Sequence, residues 1–465
     1  MTRTESSGIQ ALRSTMTGPV LLPDEGGYDE ARAVWNGDID RSPAVIARCE
    51  TQDDVTEALR FAQQEGLEVA VRGGGHAYSG SSVCDGGMMI DLSPMRKVYV
   101  DPERRRAVVG GGASWADLDG AAQVHGLAVT GGVISHTGVG GLTLGGGMGW
   151  LTRKVGLSCD NLLSAVVALP GGRCVRASAQ EHPDLFWAIR GGGGNFGVVT
   201  EFEYALHEVG PEVHLGLFFW GIDDSVSALT LCRDIIPTLP DNTGALIGAA
   251  LNAPPLPAVA EQHHGTLGHA LIVAGFGTAE EHARAVAPVR ERLTPLFEIV
   301  TPIPYTALQQ MLDDSAPWGV RGYEKALDLD DLSDDAIAVL TERAAQKASP
   351  MSFAPIFYLG GAFSRTADGD TAFGGSRRPH YVVNIAAHSM DAEGLTADRT
   401  WVRSMWDALR PLARNEGGYI NFMAEADEDR IRTTYGPDKY ERLARIKAEY
   451  DPGNVLHRNA NIKPA

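Results

Sequence analysis

Cysteine is scarce in this chain of 465 residues: five in all, none spaced C-x-x-C. The odd set Cys49, Cys84, Cys159, Cys174 and Cys232 argues against a disulfide framework and a structural zinc site, and favours a reducing, cytoplasmic location. The pair His263-His264 reads as a loop feature with no ligand set completed around it, so no metal is expected. Positive charge is also short. Lys and Arg number 40 against 59 Asp and Glu, a formal net charge of −19, which argues against nucleic acid and anionic membranes as partners. Any phosphate must then be held by local amides and a few arginines. Long apolar runs are missing too. The first twenty residues lack an unbroken apolar core, so no secretory signal is expected, and no stretch is long enough to span a bilayer.

Glycine, by contrast, is abundant: 55 residues, about 12% against a usual ~7%. The glycines fall in clusters at 73–75, 110–112, 138–149 and 191–197, without a repeat. A core gains nothing from so many, since each costs up to ~1 kcal/mol in chain entropy. A long ligand lying along bare backbone explains them. Arg72-Gly-Gly-Gly-His76-Ala-Tyr78-Ser79 follows the alternating strand 67–71, so several amide N–H groups can turn toward a diphosphate, with one imidazole beside them. A flavin dinucleotide suits both features. Gly192-x-Gly194-x-x-Gly197 matches the Rossmann fingerprint only as a string. A helical segment (182–190) precedes it and a strand (198–204) follows, the reverse of what that fold needs.

The pattern is α+β, and the length predicts two domains. Residues 1–207 carry the glycine motifs. Here 44–47, 67–71, 88–90 and 107–109 read as strands, Thr51-Gln-Asp-Asp54 caps a helix stopped by Gly66, and Ser114-Trp-Ala-Asp117 caps another ending near Gly126. Residues 208–421 alternate strands such as 215–220 and 270–274 with acidic helices at 279–286 and 334–347, and predict an antiparallel sheet with helices on one side. Asp328 to Asp335 read as solvated helix caps. Residues 422–465 return to helix, with Pro437 in a first turn and Asp451-Pro-Gly453 as the stop.

These motifs identify a resemblance. Arg72-Gly-Gly-Gly-His76, Gly138-Val-Gly-Gly-Leu-Thr-Leu-Gly-Gly-Gly-Met-Gly149, Gly156-Leu-Ser-Cys-Asp160-Asn161, Gly192-Gly-Gly-Asn195-Phe-Gly197-Val-Val199 and Tyr450-Asp-Pro-Gly-Asn-Val455 resemble the berberine-bridge-enzyme-like and hydroxynicotine-oxidase-like flavoproteins, nearly end to end. The resemblance implies a two-domain FAD-binding fold of the PCMH type within the vanillyl-alcohol oxidase superfamily. It implies FAD bonded covalently to His76. It implies cofactor contacts from Arg72, Gly73, Gly74, Gly75, Ala77, Tyr78, Ser79, Thr137, Gly138, Gly141, Gly145, Gly146, Gly156, Asp160, Asn195, Gly197, Val199, Asn421 and Asn459. Many relatives add a cysteinyl bond. Here Ile134 stands at that position and Cys159 lies far downstream, which implies a one-bond flavin.

For chemistry, the resemblance points to Tyr419 as the base near the flavin, to Asn384 on the strand Tyr381-Val-Val-Asn384 as a substrate-orienting residue, and to Tyr358 as a pocket residue. A phenol ionises near pH 10 and needs hydrogen bonds or a positive field to act as a base. The expected reaction is oxidation of an alcohol or amine carbon of a small molecule, with hydride passing to the flavin and O2 giving hydrogen peroxide. A flavin dehydrogenase with another acceptor and a non-catalytic flavoprotein are the alternatives.

Overall fold

In a computed structural model describing residues 3–425 and 427–465, three parallel strands deliver the chain to its first glycine loop. Val45–Arg48 and Val69–Arg72 flank Met88–Asp91, and the short strand Val20–Leu21 closes one edge antiparallel. The helix Gln52–Gln64 links two of them. Its capping box is complete: the Thr51 hydroxyl accepts from Asp54 N–H, and the Asp54 carboxylate accepts from Thr51 N–H, an arrangement whose cap alone contributes about 1 kcal/mol. Asp54 also accepts from Thr17 and Gly18 N–H, which ties the N-terminal segment to the helix.

A five-stranded antiparallel sheet follows, ordered Val98–Asp101, Arg106–Gly110, Val198–Ala205, Leu162–Ala168, Cys174–Ser178. Residues 182–190, expected to be helical, form the helix Pro183–Ala188. The C-terminal helix Glu428–Tyr450 packs on this region: Ile431, Tyr435, Tyr440 and Leu443 share a core with Trp115, Phe186, Trp187 and Phe202. Gly436 breaks the helix with φ 71°, so Pro437 does open a new first turn.

The second region is a seven-stranded sheet, antiparallel throughout, ordered Phe297–Pro304, Glu212–Gly221, Leu267–Gly275, Thr243–Asn252, Ala354–Leu359, His380–Ser389, Arg321–Leu329. Helices Ser225–Ile235, Ala279–Arg292, Asp334–Ala344 and Ala392–Leu409 cover one face. The opposite face, with Leu215, Leu217, Phe357 and Val382, packs toward Met148, Trp150 and Tyr419. The sheet therefore stands between a helical layer and the glycine-loop region.

One acidic residue departs from expectation. Ser333 caps the helix that begins at Asp334, with Asp334 and Asp335 in its first turn, but Asp328 is buried inside the edge strand Arg321–Leu329. Burial raises its carboxyl while His380, Arg414 and Arg430 oppose the shift. All five cysteines are free, and only Cys174 is exposed. No helix among the described residues is long and apolar enough to cross a membrane.

Candidate active site

A cavity of about 500 Å³ lies where the glycine loops meet the uncovered face of the large sheet. One wall is backbone. Gly73–Gly75, Gly138, Gly140, Gly141, Gly193, Gly194 and Gly197 line it. Two of these loops touch back to back. A Cβ on Gly74 would lie 2.4 Å from the N and Cα of Gly138, and one on Gly138 would lie 2.4 Å from Gly74 N. Only glycine permits that approach. On the ligand side, a Cβ at Gly141 would meet nothing within 4 Å, so this wall faces open space. A cradle of glycine backbone suits a long diphosphate-bearing ligand in a chain of net negative charge, and the one Lys or Arg lining it, Arg458, is already paired with Glu68 at 2.8 Å.

His76 stands at the end of the first loop. Its ring stacks on Trp35 at 4.5 Å between centroids and 16° between planes, and its Nε2 shares a 3.0 Å hydrogen bond with His136 Nδ1. Burial first, then His136, lowers the His76 pKa to about 3, so the imidazole is neutral. Trp35 is itself fixed, its indole N–H donating to Ala316 O at 2.8 Å and its backbone N–H to Gly75 O at 3.0 Å. Ile134 lines the cavity, and Cys159, fully buried, does not.

Tyr419 lies on the same cavity, 4% exposed. Its oxygen accepts from Gly147 N–H at 2.9 Å and from Asn421 Nδ2 at 2.7 Å. Burial pushes the phenol up, and these donors pull against burial. Asn421 is braced by a second bond to Leu142 O at 2.9 Å.

The sheet wall presents side chains. Asn384 lines it and donates from Nδ2 to Glu324 Oε2 at 2.9 Å. Glu324 was not foreseen. It is 1% exposed and burial raises its carboxyl to about 8. Tyr78 reaches across to His388, bonding hydroxyl to Nε2.

Of the expected residues, His76, Gly73, Gly74, Gly75, Ala77, Tyr78, Ser79, Thr137, Gly138, Gly141, Gly197, Val199, Asn421, Asn459, Tyr419 and Asn384 line the cavity. Tyr358 does not, which corrects its placement in the pocket. Along the strand Ala354–Leu359, Phe357 faces the cavity, while the Tyr358 ring lies 4.9 Å from Tyr381 on the helical side, as the two-residue alternation of a strand requires.

Six further residues stand behind the walls instead of on them. Arg72 donates to Ala31 O and faces Asp91. Gly145 makes room for Asn421, since a Cβ would lie 2.0 Å from its Oδ1, and Gly146 (φ 125°) does so for Phe373 and Tyr419. Gly156 abuts Asp160, which forms a bidentate ion pair with Arg377, both contacts 2.8 Å. Asn195 joins the fourth glycine loop to the tail, donating to Gly192 O and Ala460 O and accepting from Ile462 N–H. Trp35, His136 and Glu324 were missed. Trp35 and Glu324 line the cavity from elements that carry no glycine motif, while His136 stands behind His76, next to Thr137 and Gly138.

The geometry agrees with the relatives. The FAD binding domain family matches residues 43–178, and the berberine and berberine like family matches 418–463. (R)-6-hydroxynicotine oxidase of Paenarthrobacter nicotinovorans is 31% identical over 97% of each chain. The crystal structure of 6-hydroxy-D-nicotine oxidase from Arthrobacter nicotinovorans superposes with a TM-score of 0.82 at 27% identity, covering 97% of this chain and 98% of that one. Glucooligosaccharide oxidase from Acremonium strictum, whose FAD is 6-S-cysteinyl and 8α-N1-histidyl, shares the fold with a TM-score of 0.83 at 23% identity, over 98% and 99%. Bare-backbone loops, a neutral histidine at their end and a matched architecture over the full length converge: the chain belongs to the berberine-like family of FAD-linked oxidoreductases.

Proposed function

We propose that the protein is an FAD-dependent oxidase of a small alcohol or amine, with the cofactor bonded once, to His76. The observation that carries this reading is the single cavity onto which the glycine cradle, the neutral His76 imidazole, Tyr419 and the Asn384 strand all open. FAD, when bound, supplies the two-electron acceptor, and O2 recovers the electrons as hydrogen peroxide. The chain's own residues do the rest. The glycine loops hold the diphosphate by backbone amides, and Trp35 fixes the plane of His76 by stacking. Ile134 offers no second nucleophile and Cys159 lies off the cavity, which supports one bond.

Tyr419 takes the substrate proton as its phenolate, having first released its own proton to solvent against the upward push of burial. The Gly147 N–H and Asn421 amide already point at its oxygen and stabilise the negative charge that deprotonation leaves there. Asn384 cannot act as a base and orients the substrate by hydrogen bonding. In this reading residues 1–207 and 422–465 serve the cofactor, and 208–421 serve the substrate.

The test is the flavin of denatured protein. The parent should stay yellow, with flavin on a peptide containing His76 and no cysteine. His76→Ala should release its flavin into acid supernatant while the folded protein still binds it. A cysteinyl flavin would overturn the one-bond reading. Absence of flavin from the native parent protein would overturn the oxidase reading.

A further inference from the structure

Glu324 is the only acidic side chain among the described residues lining the cavity. Its Oε2 is held by Asn384, but Oε1 is buried with no partner. Asn384 Oδ1 is likewise buried and open. Buried polar groups in folded proteins are hydrogen-bonded as a rule, and a cluster of exceptions facing a cavity marks where a ligand completes the set. The sheet register shows what surrounds it. Glu324 pairs across the sheet with Ala386, and Ala386 bridges to Phe353, so one row runs from carboxyl to methyl to phenyl ring. Pro355, Phe357 and Met423 extend the apolar surface on the same cavity. Tyr78 and the Nε2 of His388 satisfy each other and offer little to a ligand.

We propose that Glu324 receives the polar end of the substrate, and that this substrate is a compact, largely apolar molecule with one hydroxyl or amine group, not an oligosaccharide. The proposal rests on the oxidase reading only for the reaction; the recognition stands by itself. A sugar brings many hydroxyls, and each one buried against this row without a partner lowers affinity. One hydroxyl or amine matches the single free carboxyl oxygen. Raised to about 8 by burial, the carboxyl is neutral near pH 7 and can both donate and accept, as a hydroxyl can in return, whereas an ammonium group donates only and would pair with the ionised carboxylate.

The experiment uses the flavin-loaded enzyme without oxygen. Arylalkyl alcohols and amines such as 2-phenylethanol and N-methylbenzylamine are compared with ethylbenzene, which lacks the polar group, and with cellobiose and xylobiose. Calorimetry reads binding and loss of flavin absorbance reads reduction. The alcohols or the amines should bind at least tenfold more tightly than ethylbenzene, and the disaccharides should not bind. Glu324→Leu should erase that tenfold advantage, and Glu324→Gln should erase part of it, each with parent flavin content and melting temperature. Tighter binding of a disaccharide than of every apolar compound overturns the proposal. So does an advantage that survives in both variants, or a failure of all the alcohols and amines to bind. Binding that depends on Glu324 without flavin reduction would remove the oxidase reading and leave this one standing. Reduction independent of Glu324 would do the reverse.

Discussion

The two walls of the cavity are built on opposite principles. The loop wall recognises its ligand with backbone: glycines press on one another behind it and leave amides in front. The sheet wall recognises with side chains, placed by the alternation and register of antiparallel strands. A backbone wall depends on no particular side chain but admits none either. A strand wall accepts changes of residue yet depends on which residues share a row. The first kind of site holds a constant ligand, and the second can be retuned.

The most severe way to break the contrast is Gly74→Val. The new Cβ would sit 2.4 Å from Gly138 backbone, which has no rotamer to yield, and overpacking of this kind costs about 1–3 kcal/mol or more. Loss of bound flavin is expected, with low soluble yield, measured by the flavin-to-protein ratio and circular dichroism. Full flavin content would show that the loop wall can part.

Tyr419→Phe tests the seam where the walls meet. It keeps the ring among Phe373 and Phe422 and removes only the hydroxyl. Flavin reduction should slow about 10²- to 10⁴-fold, with flavin content unchanged and stability lower by about 1–3 kcal/mol because the Gly147 N–H and Asn421 amide lose their acceptor, as followed by anaerobic stopped flow and thermal melting. Reduction at the parent rate would make Tyr419 a packing residue.

The smallest effect should come from Asp119, which joins the two regions by accepting from Gln309 Nε2 at 2.9 Å. Burial raises its carboxyl to about 7, with Gln309 opposing, against an ordinary ~3.9 in the unfolded chain. Between these values the folded protein holds a proton that the unfolded chain has released. Stability from this group therefore falls as pH rises from about 4 to 7 and is level above. Asp119→Asn should raise the melting temperature above pH 7 and leave it unchanged near pH 4. An equal shift at both would mean the carboxyl does not titrate there.

The same contrast explains what the sequence made legible. A backbone wall must be written in glycine, so the loops at 73–75, 138–141 and 193–197 stood out with their histidine, and the fold followed from them. A strand wall is written in ordinary residues, and its content depends on register. Tyr358 was placed in the pocket although Phe357, its neighbour, faces inward. Glu324 lies in a stretch, Gly322-Tyr-Glu-Lys325, that reads like any edge strand. The signal available was its pairing strand: an acid on the partner of the Asn384 strand was worth testing. Asp160 and Asn195 sit in family motifs yet bond to Arg377 and to the tail, because motif residues also hold the loops that touch the ligand.

Lys447 carries a consequence for the order of assembly. Its side chain is wholly buried, and it donates to Asp451 at 2.6 Å, to Leu456 O at 2.9 Å and, 252 positions back along the chain, to Asn195 O at 2.6 Å. The fourth glycine loop is thus locked by an ammonium group that the ribosome adds long after the loop itself. Until that lysine emerges, the cradle has three fixed sides and a loose one. Cofactor capture is therefore coupled to the arrival of Lys447, and a Lys447→Met chain, with every glycine loop intact, should bind flavin poorly.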